Sequence, residues 1–520
     1  MSSQEKLKEL IQQSYHFTGT SIPLGTAKLG DSVIENAVVS VPLKTLNRHG
    51  LISGATGTGK TKTLQNLAEK LSLNGVPTLL MDIKGDLSGI SQPGLLNDKI
   101  TERHHKIGIP WTPQGFPVEF LSISGEKGVK MRATISEFGP VLLSKILELN
   151  DTQSGVVSLV FKYCDDRSWP LLDIKDFRKV CQHIQTGEGK AEIEKEYGLV
   201  SSASIGAIMR SLIEIEQQGA DVFFGEKSFD VTDLMRTDDK GYGYCSVLRL
   251  TDIQSKPKLF SSFMLCLLAE IYQTLPEIGD KDKPKLCIFI DEAHLIFKEA
   301  TKTLLNQIET IVKLIRSKGV GLFFITQDPS DVPDEILGQL GLKMQHALRA
   351  FTEKDRKAIK TIAENFPPSD YYKTSELLTA LGIGEALVTV LDEKGIPTPL
   401  VHTYLTAPLS RMDIITEAEM EAIISQSELV EEYNEEINRQ SAYEILSNKL
   451  TTAPTVEHKP IEVIGERAPN REIKEETSTA EKVLNHSTTK MIFREVLRGF
   501  LGVLGLSSST RKKRRNSTWF

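Results

Sequence analysis

Gly54-Ala-Thr-Gly-Thr-Gly-Lys60-Thr61 decides the fold. The stretch fits the pattern G-x-x-x-x-G-K-[S/T], and its flanks are those the pattern requires. Asn47–Ser53 (NRHGLIS) reads as a compact strand running into the first glycine. After it, Leu64, Leu67, Ala68 and Leu71 recur at helical spacing, and Asn74-Gly75 supplies a C-cap. Val76–Asp82 (VPTLLMD) is a second apolar run ending in an acid, which completes a β-α-β unit. Glycines let successive backbone N–H groups curl round an anion, and the helix N-terminus adds partial positive charge. Residues Gly54, Ala55, Thr56, Gly57, Thr58, Gly59, Lys60, Thr61 and Lys62 are therefore the predicted phosphate cradle. Lys60 is placed to reach the β- and γ-phosphates of ATP, and the Thr61 hydroxyl to ligate Mg²⁺.

A phosphate loop of this kind needs an acid at the end of a neighbouring strand. Leu286–Asp291 (LCIFID) followed by Glu292 supplies two. Asp291 is predicted to hold Mg²⁺ through water, and Glu292 to act as general base on the attacking water. An adjacent Asp-Glu pair favours hydrolysis over transfer to an acceptor hydroxyl. Residues 291–294 spell DEAH, but the two Gly-Arg pairs of DEAH-box helicases are absent, so His294 is read as coincidental. Gln327 directly follows Val320–Thr326 (VGLFFIT) and is either a sensor of the γ-phosphate or a plain strand-end amide. Arg316 closes a helix striped by Leu304, Leu305, Ile308, Ile311, Val312 and Ile315. It is either a solvated cation at a helix C-terminus or an arginine finger toward a neighbouring subunit. Arg349, in a strand predicted near 343–351, is a second arginine candidate. Asp82 and Asp86 lie at the same sheet edge, either near the nucleotide or capping a turn.

Strands alternating with helices predict an α/β fold: a RecA-like P-loop NTPase with a mostly parallel sheet covered on both faces. Further strands are expected at Tyr242–Leu250, 385–391 and 400–405, and Phe260–Tyr272 reads as a buried helix. The expected partition is a polar helix at 1–20, the first part of the core at 21–129, an all-helical insertion at 130–235 and the second part of the core at 236–410. An acidic helical segment at 411–450, a linker at 451–479 and a helical tail at 480–520 follow. The tail carries an apolar stripe (Phe493, Val496, Leu497, Phe500, Leu501, Leu504) and the basic run Arg511–Arg515. That run is either a solvated end or a contact for nucleic acid or an anionic membrane surface.

The 520 residues are 40% hydrophobic and 25% charged, which is globular composition and excludes fibrous or fully disordered chains. A net charge of −7 excludes bulk coating of nucleic acid, so any contact with DNA must be local. Five cysteines without a C-x-x-C spacing argue against a disulfide framework and a zinc site, and fit a cytoplasmic protein. No run of about 18 apolar residues offers a membrane span.

Together, His49 with Gly54–Thr61, Ile290-Asp-Glu-Ala293, Arg316-Ser-Lys-Gly319 and Ile325-Thr-Gln327 resemble the HerA/FtsK superfamily of hexameric ATPase motors. More narrowly, Leu79–Gly89, Gly382–Pro399 and the glycine-spaced C-terminal helix resemble a bacterial family of HerA-like helicases. The resemblance implies that Arg316 acts in trans and that Gln327 is the sensor. It also implies a hexameric ring, DNA as the translocated partner, and a partner protein such as a nuclease. Only 53 residues precede the loop, which are expected to be too few for the N-terminal β-barrel usual in HerA-type motors. The reading is a Mg²⁺-dependent ATP hydrolase moving DNA through a ring; the alternative is an ATP-driven scaffold or protein-moving ATPase.

Overall fold

The structure is a computed structural model that describes residues 2–452, apart from 280, 300, 301, 436 and 438. The expected linker beyond 452 and the tail with its apolar stripe and Arg511–Arg515 lie outside the described residues.

Among the described residues twelve strands form one sheet: β1 (Ser21–Leu29), β2 (Ser32–Pro42), β3 (Gly50–Ser53), β4 (Thr78–Asp82), β5 (Val118–Ser122), β6 (Val129–Lys130), β7 (Cys245–Arg249), β8 (Leu286–Ile290), β9 (Val320–Thr326), β10 (Leu342–Gln345), β11 (Glu385–Thr389) and β12 (Val401–Leu405). The spatial order is β2-β1-β12-β11-β10-β3-β9-β8-β4-β7-β5-β6. From β10 to β6 every neighbouring pair is parallel. The other four pairs are antiparallel, so β1 and β2 extend the sheet through β12.

The sheet is mostly parallel because its central strands are apolar on both faces and must be covered on both. In β8, Leu286, Ile288 and Ile290 face one core, and Cys287 and Phe289 the other. In β9, Leu322 and Phe324 alternate with Phe323 and Ile325 in the same way. On the second face lie α1 (Ser3–Ser14), through Leu7 and Ile11, and α2 (Lys60–Leu73), through the predicted stripe Leu64, Leu67, Ala68 and Leu71. The helix Asp98–Ile107 (α3) stands beside β2.

Six helices follow β6: α4 (Ile135–Ile146), α5 (Asp151–Asp166), α6 (Ile174–His183), α7 (Gly187–Tyr197), α8 (Ser202–Gln217) and α9 (Ala220–Phe223). Capping boxes start three of them, at Thr134/Glu137, Asn150/Gln153 and Asp173/Asp176. Their apolar side chains join the core of the first sheet face. That core also takes in α10 (Pro257–Thr274) and α12 (Lys302–Ile315), which follows α11 (His294–Glu299). Among the described residues no single helix is long and apolar enough to cross a membrane.

Three local expectations are corrected. The run 47–53 is not all strand: residues 43–48 form a 3-10 turn, and His49 at φ +63° breaks the extended path before β3. The strand expected near 343–351 ends at Gln345, because the chain then crosses the phosphate loop, where Ala347 O accepts from Ala55 N at 2.8 Å. Arg349 is thus an exposed loop residue and not a strand residue amid apolar neighbours. Strands β5 and β6 had no counterpart in the sequence reading; Glu119 inside β5 and the shortness of β6 hide them.

Candidate active site

The strand order β3-β9-β8 sets the site. All three are parallel, so the loop after β3, the residue after β9 and the acids after β8 open on one edge. The loop is held from below. Gly54 N donates to Thr326 O at 3.3 Å, and Thr58 N and Oγ1 both bind Ala55 O, at 3.4 and 2.7 Å. Gly54 has φ +148°, and a Cβ there would stand 2.5 Å from His346 Cβ, so glycine is required for backbone and space alike. His346 is fully buried under the loop, with Nε2 3.0 Å from Thr63 Oγ1; burial pushes its imidazole down to about 4.

Lys60 is buried, and its amine donates to Gly54 O at 2.6 Å and Ala55 O at 3.1 Å. Burial, and then the charge of Lys84, lowers its pKa. Reaching a phosphate means exchanging those two carbonyls for phosphate oxygens. Thr61 sits in the first turn of α2. The Lys62 amine donates to Gln65 Oε1 at 3.2 Å and to Met412 O, so in this arrangement it is engaged outside the loop Gly54–Thr61.

Asp291 and Glu292 are 1% and 5% exposed. The Glu292 amide donates to Asp291 Oδ1 at 2.9 Å, and Glu292 has φ +48°. A non-glycine residue there stores about 1–3 kcal/mol of strain, which the surroundings must offset. Burial pushes the Asp291 carboxyl up to about 6. Asp291 Oδ2 and Glu292 Oε2 are buried without a hydrogen-bond partner. Such atoms cost about 1–3 kcal/mol each unless something else satisfies them. Asp291 Oδ2 and the Thr61 hydroxyl are both hard oxygen donors, the kind that suits Mg²⁺ keeping most of its waters.

A lysine that sequence reasoning passed over completes the acid pair. Lys84 Nζ binds Glu292 Oε1 and lies 3.8 Å from Asp291 Oδ2. Burial works against the charge on Lys84, but Asp291 and Glu292 more than offset it and hold the amine above its ordinary range. Asp82 explains why Lys84 is there. Its Oδ1 accepts from Gly85 N and Asp86 N at 2.8 and 3.1 Å, and its Oδ2 from Leu87 N at 3.2 Å. Asp82 therefore caps the turn that carries Lys84, and β4 pairs with β8 so that this turn abuts the acids. His294 Nδ1 stands 3.1 Å from Glu292 Oε2, so the residue read as coincidental borders the site. Gln327 is exposed at the end of β9, its Oε1 3.4 Å from Thr56 Oγ1, and Arg349 donates to Thr56 O at 3.4 Å. Both meet the tip of the loop.

Residues 28–511 match the family described as helicase HerA-like C-terminal. The chain belongs to that family. With the loop and the acid pair, this HerA-like chain is a P-loop ATPase. It is 22% identical over 374 residues to the DNA double-strand break repair helicase HerA of Sulfolobus acidocaldarius, covering 71% of this chain and 68% of that protein. It therefore spans about two thirds of that relative's length. Among solved structures it is similar to the bacterial conjugative coupling protein TrwB in complex with sulphate, at 15% identity and TM-score 0.51, over 80% of this chain and 95% of that one. The plasmid coupling protein TrwB with ADP and Mg²⁺ matches at 14% identity and TM-score 0.50, over 78% and 94%. At these identities the likeness is one of fold.

In the HerA-like chain Arg316 stands apart from the other candidates. It opens a 3-10 turn, Arg316–Lys318, just before β9, whereas Gln327 just follows β9. Seven strand residues at 3.3 Å each separate the two by about 23 Å, with Arg316 on the opposite edge of the sheet. His49 ties that edge down. Its Nδ1 accepts from Leu322 N at 3.0 Å, which leaves Nε2–H to donate to Val312 O at 2.8 Å. Burial, with the Arg316 charge as a smaller contribution, pushes its imidazole down to about 4, so the ring bridges β9 and α12 as a neutral spacer. Sequence reasoning quoted His49 without a role and missed Lys84 and His346. The signal available for Lys84 was a lysine two residues past a strand-end acid, Asp82-Ile-Lys84.

Proposed function

We propose that this chain is a Mg²⁺-dependent ATP hydrolase that assembles head to tail into a ring, a hexamer, and that turnover drives DNA through the ring in the cytoplasm. One observation carries the proposal. Arg316 and the loop-and-acid cluster lie on opposite edges of the same sheet. A finger on one edge and a site on the other meet only between subunits in a heterologous contact, which closes into a ring when the rotation allows. Phe351 at 80% and Ile383 at 75% exposed are apolar side chains on loops at the site edge, where such a neighbour would sit.

In this reading residues Gly54–Thr61 and Lys60 hold the phosphates of ATP. Asp291 and Thr61 would hold Mg²⁺, which supplies charge neutralisation across the β- and γ-phosphates. Glu292 takes a proton from a water whose oxygen attacks the γ-phosphorus, and ADP leaves with the electrons of the broken P–O bond. Gln327 reports the γ-phosphate through the Thr56 side of the loop, and Arg316 of a neighbouring subunit stabilises the transferring phosphoryl group. We read residues 130–235 as a helical insertion into the motor core, and the repair helicase HerA relative as the reason to favour DNA. The five cysteines, without a C-x-x-C spacing, suit a reducing cytoplasm.

A protein-moving or scaffold ATPase is the second reading, favoured by the net charge of −7. Two measurements on one sample separate them: mass in solution with ATP, then ATPase rate with and without DNA across a salt series. DNA held through phosphates should stimulate turnover at low salt and lose its effect steeply as salt rises. A verified oligomer whose rate ignores DNA at low salt would reject DNA translocation in favour of the second reading.

A further inference from the structure

We infer that Lys84 is a positioning residue for Glu292: its ammonium holds the carboxylate of the hydrolytic base in place through Oε1, leaving Oε2 to line up the water. The inference rests on the hydrolase reading for the role of Glu292, but the ion pair is a property of the chain itself.

Three features support it. First, Glu292 is buried and has a left-handed backbone, so its carboxylate has little freedom and needs a cationic partner. Lys84 is the side chain in contact with Oε1, and it approaches Asp291 Oδ2 only to 3.8 Å. The four acid oxygens therefore differ: Glu292 Oε1 is bound by the ammonium and Asp291 Oδ1 by the Glu292 amide, while Asp291 Oδ2 and Glu292 Oε2 have no hydrogen-bond partner, with His294 Nδ1 bordering the latter at 3.1 Å. Second, Lys84 is itself fixed. The turn bearing it is capped by three hydrogen bonds that backbone N–H groups donate to the Asp82 carboxylate, and Gly85 at φ +75° completes the bend. Third, Lys84 is 36% exposed on its side chain, so it reaches the acids from the open rim of the site without a need to be part of the core. Asp82 and Lys84 then act in series: the acid shapes the turn, the turn aims the amine, and the amine aims the base.

The test uses the full chain and four variants: Lys84→Met, Lys84→Arg, Glu292→Gln and the double variant Lys84→Met/Glu292→Gln. Steady-state ATPase gives kcat and KM, and a fluorescent ATP analogue gives Kd without turnover. Lys84→Met should lower kcat by about 10–100-fold, less than the roughly 10²–10⁴-fold that loss of the general base itself costs, with Kd changed by less than about threefold. Lys84→Arg should recover most of the loss, because it restores the cation. In the Glu292→Gln background Lys84→Met should cost little more, since both changes remove one interaction. A full additive loss, an unchanged kcat in Lys84→Met, or a Kd that worsens in step with kcat would overturn the inference; the last would make Lys84 a phosphate ligand. An activity-free measurement stands beside these. Acylation of Lys84 by an amine-reactive ester, read by mass spectrometry, should rise several-fold in Glu292→Gln. Equal labelling in wild type and Glu292→Gln would refute the pair. A wild-type chain that binds ATP but never hydrolyses it, with Lys84 still protected, would sink the hydrolase reading instead.

Discussion

Replacing Arg316 with Ala tests the ring and the chemistry at once. Arg316 precedes β9 and Gln327 follows it, about 23 Å apart along the strand, which is why the proposal assigns Arg316 to a neighbour's nucleotide. The backbone bond from Gly319 N to Arg316 O does not depend on the side chain, and a melting curve of Arg316→Ala separates a fold defect from a loss of turnover. Turnover in the assembled ring should fall by about 10³–10⁵-fold, the usual worth of an arginine finger. Lys60→Ala removes the phosphate-binding amine in the same subunit and should also abolish turnover. Co-expressed in equal amounts, the two variants share rings in which about a quarter of interfaces join an intact loop to an intact arginine, provided each interface takes one group from each side. ATPase of the purified mixed ring should then return to about a quarter of wild type, far above either variant alone, by the same interface count. If Arg316 acted within its own subunit, every chain in the mixture would lack one group and no activity would return. A mixed ring as inactive as its parents, with mass spectrometry showing both chains present, would refute action in trans; wild-type turnover in Arg316→Ala would remove the residue from the mechanism.

Three further perturbations follow from single observations. Glu292→Gln should bind ATP with near wild-type affinity and hydrolyse it about 10²–10⁴-fold more slowly, measured by single-turnover assay; near-normal turnover would take Glu292 out of the chemistry. Gly54→Ala puts a Cβ 2.5 Å from His346 Cβ and 3.1 Å from the His346 backbone at φ +148°. The backbone alone should cost about 1–3 kcal/mol and the overpacking about as much again, so a variant with unchanged melting temperature and nucleotide affinity would contradict the close approach. Glu69 is buried against Leu409 N, Ser410 N and Ser410 Oγ, and burial raises its carboxyl from 4.5 to about 7. Its folded pKa exceeds its unfolded one, so the folded chain keeps a proton that the unfolded chain releases between those values. The stability from Glu69 is full below about 4.5 and is lost as pH rises to about 7, at up to about 1.4 kcal/mol per pH unit. Urea titrations from pH 5 to 7 should show a shallower decline in Glu69→Gln; an identical slope would refute the assignment.

How much of this was legible in the sequence depended on where each residue finds its partners. The loop Gly54–Thr61 was readable because its ligand contacts come from its own backbone. The apolar runs of β8 and β9 were readable because a strand buried on both faces leaves no polar alternation to misread. Strand β5 was hidden by Glu119, whose buried carboxylate is met inside the sheet by groups from elsewhere in the chain, Arg236 Nη2 at 2.8 Å among them. The strand β10 was overextended because Ala347 and Leu348 look like strand residues, while Ala347 O is spent on Ala55 of the loop and Leu348 N on Leu378.

The same rule separates the site residues that spacing found from those it missed. Asp291 and Glu292 announce themselves at a strand end, but the group that engages Glu292 sits on a turn more than two hundred residues earlier in the chain. No local pattern connects Lys84 to Glu292; the connection exists because β4 pairs with β8, register Met81 to Ile290, which brings the next residues of both strands to one edge. His49 and Leu322 meet for the same reason, through the pairing of β3 with β9. A sheet whose strand order differs from its sequence order therefore does more than carry the phosphate loop. It brings the candidate site to one edge, by placing Gln327 and the acids beside the loop, and puts Arg316 on the other, which is why the finger is proposed to act between subunits.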